Sequence, residues 1–138
     1  KVLTLGNLNA KRDWGYAKDY VEAMWLMLQQ DKPDDFVIAT GKTYTVRESV
    51  NYAFNVIGID IEWIGHGLDE IGKNSKTGEI LVKIDSKYYR PSEVDLLWGD
   101  PTKANTSLGW RARTDLRELV FKMVSYDLEY DNYGGYEI

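Results

Sequence analysis

Apolar residues in this chain alternate between short extended runs and longer runs spaced every three to four residues, and this limits what it can fold into. Residues 2–5, 36–39, 59–63, 80–84 and 95–99 read as short strands. Between and after them come four helical patterns. The first starts at Tyr16, places Ala17, Val21, Met24 and Leu28 on one stripe, and stops at Asp31-Lys32-Pro33-Asp34. Trp25, Leu26 and Met27 make its second half apolar on most sides, which predicts burial there. The second opens on Thr45-Val46-Arg47-Glu48, which has the form of a capping box. It carries Val46, Val50, Ala53, Phe54 and Ile57 inward and ends at Gly58. A third begins at Asp100-Pro101, read as N-cap and first helical residue, and ends at Gly109. Thr114 is read as the cap of the fourth, with Leu116, Val120, Met123 and Val124 inside. The order predicts a small α/β (α+β-like) domain with about four helices.

The 138 residues suffice for one core, and 43% hydrophobic content is that of a globular protein. A net charge of −5 argues against general nucleic-acid binding, which needs a basic face. With no cysteine there is no disulfide framework, thiolate nucleophile or cysteine-based metal site, which fits a cytoplasmic protein. No apolar run approaches the roughly 20 residues that span a membrane. Lys1 opens a strand pattern where an initiator Met would stand, which suggests a fragment or a processed chain.

Two arginine motifs carry the chemistry. In residues 5–19 a Gly6-Asn7 turn leads to Lys11-Arg12-Asp13-Trp14 at the start of the first helix. A guanidinium suits phosphate because its fork of donors can bond two oxygens, and Trp14 offers a flat apolar face. In Tyr88-Tyr89-Arg90-Pro91-Ser92-Glu93, proline biases Arg90 to an extended backbone between two tyrosines and an acid. Such a set suits an anion bearing a ring and a sugar. A surface Arg–Glu pair at a turn is the competing reading.

Catalytic signatures are lacking. The one histidine, His66, lies between loop glycines, and no tyrosine is followed four residues later by lysine. Gly65-x-Gly67 has its third glycine at Gly72, the wrong spacing for a dinucleotide loop. Residues 65–78 read as a long loop or a hairpin turning at Lys76-Thr77-Gly78. Asn105-Thr106-Ser107 is a formal glycosylation sequon set in a helix.

Lys11-Arg12-Asp13-Trp14 with Ala17-Lys18-Asp19-Tyr20-Val21, then Tyr89-Arg90-Pro91-Ser92-Glu93-Val94, then Gly99-Asp100-Pro101-Thr102-Lys103-Ala104 with Leu108-Gly109-Trp110, occur in that order. Together they resemble the C-terminal part of extended short-chain dehydrogenase/reductases acting on nucleotide sugars. The run from Leu5 to Val21 and the run from Asp35 to Gly41 resemble the GDP-mannose 4,6-dehydratase family in particular. The resemblance covers all but the residues after Leu128. Ser49 and Ser92 depart from it, standing where Phe and Thr are usual.

The resemblance implies that residues 1–128 form a nucleotide-sugar-binding domain; residues 129–138, acidic and rich in Tyr and Gly, read as a loose tail. It implies that Arg12 and Arg90 bind the substrate's pyrophosphate and Glu93 the ribose, with Lys11 and Asn7 as further nucleotide contacts. The family reaction oxidises mannose C4 with NADP, eliminates water across C5 and C6, and returns the hydride to C6. The NADP-binding Rossmann half and the catalytic residues of such enzymes have no counterpart in these motifs. The implied partners are GDP-mannose, that N-terminal half and further copies of the chain, and the piece alone is expected to be inactive. Another nucleotide-sugar epimerase or dehydratase, or a non-catalytic interaction domain, remains open on the sequence.

Overall fold

The computed structural model describes residues 1–90, 92 and 94–130. In chain order it contains β1 (Leu3–Leu5), β2 (Lys11–Arg12), α1 (Ala17–Leu28), β3 (Tyr44–Thr45), α2 (Val46–Val56), β4 (Ile61–Ile64), a 3-10 turn (Gly67–Asp69), β5 (Ile71–Asn74), β6 (Ile80–Ile84), β7 (Leu96–Leu97), α3 (Thr102–Ser107) and α4 (Leu116–Tyr130). The mixed helices and short strands are those expected of a small α/β domain.

The strands form two sheets, ordered β1-β6-β5-β4 and β3-β2-β7. The first contains an antiparallel meander, β4-β5-β6, extended by β1 running parallel to β6. The hairpin reading of residues 65–78 therefore holds: β5 lies inside it, and Gly78 takes the positive φ of +73° that its turn needs. In the second sheet β2 runs parallel to β7 and antiparallel to β3.

The capping box forms as read. Thr45 Oγ1 accepts the Glu48 N–H at 3.1 Å, and Glu48 Oε2 accepts the Thr45 N–H at 2.6 Å. Gly58 follows the helix at φ +75°. Ser49 donates its hydroxyl to the Val46 carbonyl at 2.8 Å, within its own helix.

The central core joins Ala23 of α1 and Ala104 of α3 to Leu108 and Trp110, with Tyr20, Leu26, Met27, Phe36 and Ile38 packed around them. Trp110 is 2% exposed, and its indole N–H donates to the Asp19 carbonyl at 2.8 Å. Tyr20 meets its ring edge-to-face.

Several expectations change. On α1 the inward residues are Asp19, Tyr20, Ala23, Leu26 and Met27, while the expected inner stripe of Ala17, Val21, Met24 and Leu28 faces solvent, as does Trp25. A helix apolar on most sides has no single face that period alone selects. Residues 36–39 form no strand, because among the described residues their backbone pairs with no neighbouring strand, although Ala39 is buried. Helix α3 starts at Thr102 rather than at Pro101, and the Asp100 carboxylate accepts the Thr102 N–H at 3.0 Å. The Asp115 carboxylate, not Thr114, takes the N–H three residues on, from Glu118 at 2.8 Å. Met123 is exposed while Leu116 is buried. Helix α4 runs through Tyr130, two residues into the expected tail, and the rest of that tail lies outside the described residues.

Candidate substrate cleft

Parallel pairing brings the two arginine motifs together. In a parallel pair both strands run the same way, so the residues that follow them leave from the same edge. Leu5 of β1 stands opposite Ile84 of β6, and the Asp85 N–H continues the ladder to the Leu5 carbonyl at 2.9 Å. Gly6-Asn7 and the turn from Asp85 to Arg90 thus emerge side by side. Asp85 closes that turn: its carboxylate accepts the Lys87 N–H at 2.9 Å, and its carbonyl accepts those of Tyr88 and Tyr89.

Gly6 is required by this closeness. A Cβ at residue 6 would stand 2.1 Å from the Tyr88 carbonyl oxygen, a backbone atom that cannot swing aside.

A second parallel pair, in the other sheet, ties the same two segments further along. Arg12 stands opposite Leu97, and the Lys11 N–H donates to the Asp95 carbonyl at 2.7 Å. The Arg12 guanidinium donates through Nη1 to the Val94 and Lys11 carbonyls at 2.7 and 2.8 Å. Between the two ladders opens a cleft of about 340 Å³, lined by Leu5, Gly6, Asn7, Ala10, Arg12, Val46, Tyr88 and Arg90.

Three of the sequence-derived site residues therefore meet in one place: Asn7, Arg12 and Arg90. Lys11 is exposed and does not line the cleft, since successive residues of β2 point to opposite faces. Glu93 lies outside the described residues. Trp14, read as an aromatic neighbour of Arg12, lines a separate cleft of about 260 Å³ with Thr40, Lys42, Tyr44 and Arg113. The aromatic side chain at the Arg12 cleft is Tyr88. His66 is exposed in the β4–β5 connection.

Two features near the site were not found from sequence. Asp13 holds the turn at Thr40 and Gly41, accepting both of their N–H groups. Arg47 bonds Glu70 on β4–β5 and Asn9 on the loop leading to Arg12. Neither partnership has a local signal, because the partners are far apart in sequence.

No helix among the described residues is long and apolar enough to cross a membrane, and no group of three or more His, Asp or Glu among them could hold a metal ion.

Comparison with solved structures finds the same fold within larger chains. The UDP-glucose 4-epimerase of Bifidobacterium longum, solved with NAD+ and UDP, superposes with a TM-score of 0.69 at 15% identity, over 96% of this chain and 36% of that one. RMD from Pseudomonas aeruginosa, solved with NADPH, gives 0.66 at 14% identity, over 89% of this chain and 34% of its own. In sequence, the family model for GDP-mannose 4,6 dehydratase matches residues 1–123. The GDP-mannose 4,6 dehydratases of Dictyostelium discoideum and Homo sapiens are 59% and 57% identical over 97% and 94% of this chain. The chain belongs to the GDP-mannose 4,6-dehydratase family. It spans 38% and 35% of the length of those two relatives.

Proposed function

We propose that this chain is the substrate-gripping part of an enzyme that converts GDP-mannose to GDP-4-dehydro-6-deoxy-mannose, and that the cleft holds the nucleotide diphosphate. The supporting observation is the meeting of Arg12, Arg90 and Asn7 in one cleft. Two guanidiniums can neutralise a diphosphate by charge-assisted hydrogen bonds, and the Asn7 amide and the face of Tyr88 suit a nucleoside. Lys11 adds positive charge beside the cleft, and Glu93 is assigned the ribose hydroxyls.

The described residues do not fit a dinucleotide. Gly65 and Gly67 lie between two antiparallel strands, not between a strand and a helix N-terminus where a diphosphate loop works. NADP and the acid–base groups are therefore assigned to an N-terminal Rossmann half, and this chain alone is expected to give no turnover. The exposed face of α1 and the unpaired residues 36–39 suit contact with that half. We place the complete enzyme in the cytoplasm as a homo-oligomer.

Calorimetric titration of the complete enzyme with GDP, in parent, Arg12→Ala and Arg90→Ala forms, tests the site. Each variant should bind about ten- to a hundredfold more weakly, the loss of one charge-assisted contact of about 1.5–3 kcal/mol. Parent-like binding by both would rule the assignment out. GDP-mannose should bind more tightly than UDP-glucose.

A further inference from the structure

Arg47 sits in the first turn of α2, where the sequence shows only the interior of a capping box. Its guanidinium is engaged on three sides. It forks onto Glu70, with Nε to Oε1 at 3.1 Å, Nη2 to Oε1 at 2.7 Å and Nη2 to Oε2 at 2.8 Å. Nη1 donates to Asn9 Oδ1 at 2.6 Å. Its Cζ lies 5.6 Å from the centre of the Trp63 ring, itself anchored by its indole N–H to Asn51 at 2.9 Å. Glu70 is buried. A guanidinium so held has one orientation, set by the β4–β5 hairpin.

What this orientation serves is the loop between β1 and β2. The backbone N–H of Arg47 donates to the Leu8 carbonyl at 3.0 Å and that of Val46 to the Ala10 carbonyl at 3.1 Å. Leu8 and Ala10 are buried. The Asn9 N–H donates to Asn7 Oδ1 at 2.9 Å. A continuous chain of hydrogen bonds thus runs from Glu70 through Arg47 and Asn9 to Asn7, which lines the diphosphate cleft.

We propose that Arg47, oriented by Glu70, is a positioning residue for this cleft: it fixes the loop at residues 7–10, and so the Asn7 amide and the approach to Arg12, in the ligand-binding arrangement. The inference rests on the cleft being the nucleotide site. The competing role is that of a fold staple, and the two differ in what removing the ion pair does. A buried ion pair can often be replaced by apolar residues without loss of stability, whereas removing one partner strands a charge. The double variant Arg47→Met/Glu70→Leu strands no charge yet takes the guanidinium from Asn9. Asn9→Ala, at an exposed residue, cuts the same link with the ion pair intact.

In the complete enzyme, both variants should bind GDP about tenfold more weakly while melting close to the parent. Arg47→Lys, which keeps the charge but cannot fork onto Glu70 and reach Asn9 together, should also bind weakly. Parent-like GDP affinity in the double variant and in Asn9→Ala would overturn the proposal, as would affinity losses that merely follow losses of melting temperature. If the parent itself fails to bind GDP, the reading of the cleft fails instead. Amide exchange at Asn9 then decides the role of Arg47: faster exchange in the double variant with α2 still protected supports it, and unchanged exchange sinks it.

Discussion

Asp13 and Thr40 are joined twice: Asp13 Oδ1 accepts the Thr40 N–H at 3.1 Å and its hydroxyl at 2.6 Å. The other carboxylate oxygen takes the Gly41 N–H at 2.9 Å, where the backbone turns at φ +77°. In the Arg-Asp pair the arginine faces the cleft while the aspartate ties down a turn nearly thirty residues on. The two halves of one motif have separate tasks.

Asp13→Asn should therefore cost stability more than affinity. An asparagine amide offers one acceptor oxygen in place of two, so one side of the turn is left unpaired, a loss of about 2 kcal/mol. Urea unfolding of the complete enzyme measures it, and GDP affinity should change far less than in Arg12→Ala.

Gly6→Ala should act in both ways. The added methyl group meets the Tyr88 carbonyl at 2.1 Å, so the turn carrying Arg90 must move. The expected cost is about 1–3 kcal/mol of stability together with weakened GDP binding. Gly58→Ala is the control: its φ of +75° is unfavourable for alanine, but nothing lies within 4 Å of the new methyl group. It should cost about 1 kcal/mol and leave GDP binding alone.

Tyr20 gives a pH signature. Partial burial, with the Asp13 and Asp19 carboxylates as lesser causes, raises its phenol above the ordinary value of 10.0. Above that value an unfolded Tyr20 ionises while the folded one keeps its proton, so the folded state binds more protons. Stability is then full below pH 10.0 and falls as pH rises through the raised folded value. Tyr20→Phe should flatten this alkaline slope in unfolding measurements, and the tyrosinate absorbance should lose a component that titrates above 10.0. A slope identical in parent and variant would contradict the assignment.

The exposed face of α1 can be tested by one substitution. Leu28 is 82% exposed, so on a free surface Leu28→Asp would change stability by no more than about 0.5 kcal/mol. If an N-terminal half covers this face in the complete enzyme, the same change should cost about 1.5–3 kcal/mol there. Thermal unfolding of the complete enzyme with and without the substitution separates the two cases.

What the sequence revealed and what it hid follow from how local each interaction is. The box at Thr45 and Glu48 and the glycine at residue 58 were legible because each is completed within a few residues of itself. Asn7, Arg12 and Arg90 were picked out by chemistry and resemblance, but their convergence depends on two parallel pairings that no local pattern shows. The inner face of α1 departs from the apolar stripe because its two buried positions are a small alanine and an aspartate. Asp19 is inward because its carboxylate takes the Arg113 and Thr114 N–H groups, both at 3.0 Å. Partners more than ninety residues away cannot be read from a helical period. Residues 36–39 have the composition of a strand, but composition cannot supply a neighbour to pair with.

The parallel alignment of β1 with β6 also bears on how the chain folds. Leu3 must find Val82 across almost eighty residues of intervening chain, whereas β4, β5 and β6 close by short hairpin connections. Closing the larger loop costs more chain entropy and is the slower event, so the meander is expected to form early and β1 to dock late. The cleft exists only after that docking, because the Asp85-to-Leu5 bond and the Gly6–Tyr88 contact both depend on it. A nucleotide bound across the seam would hold the chain's last-formed joint shut, and amide exchange at Asp85 should slow when GDP is added.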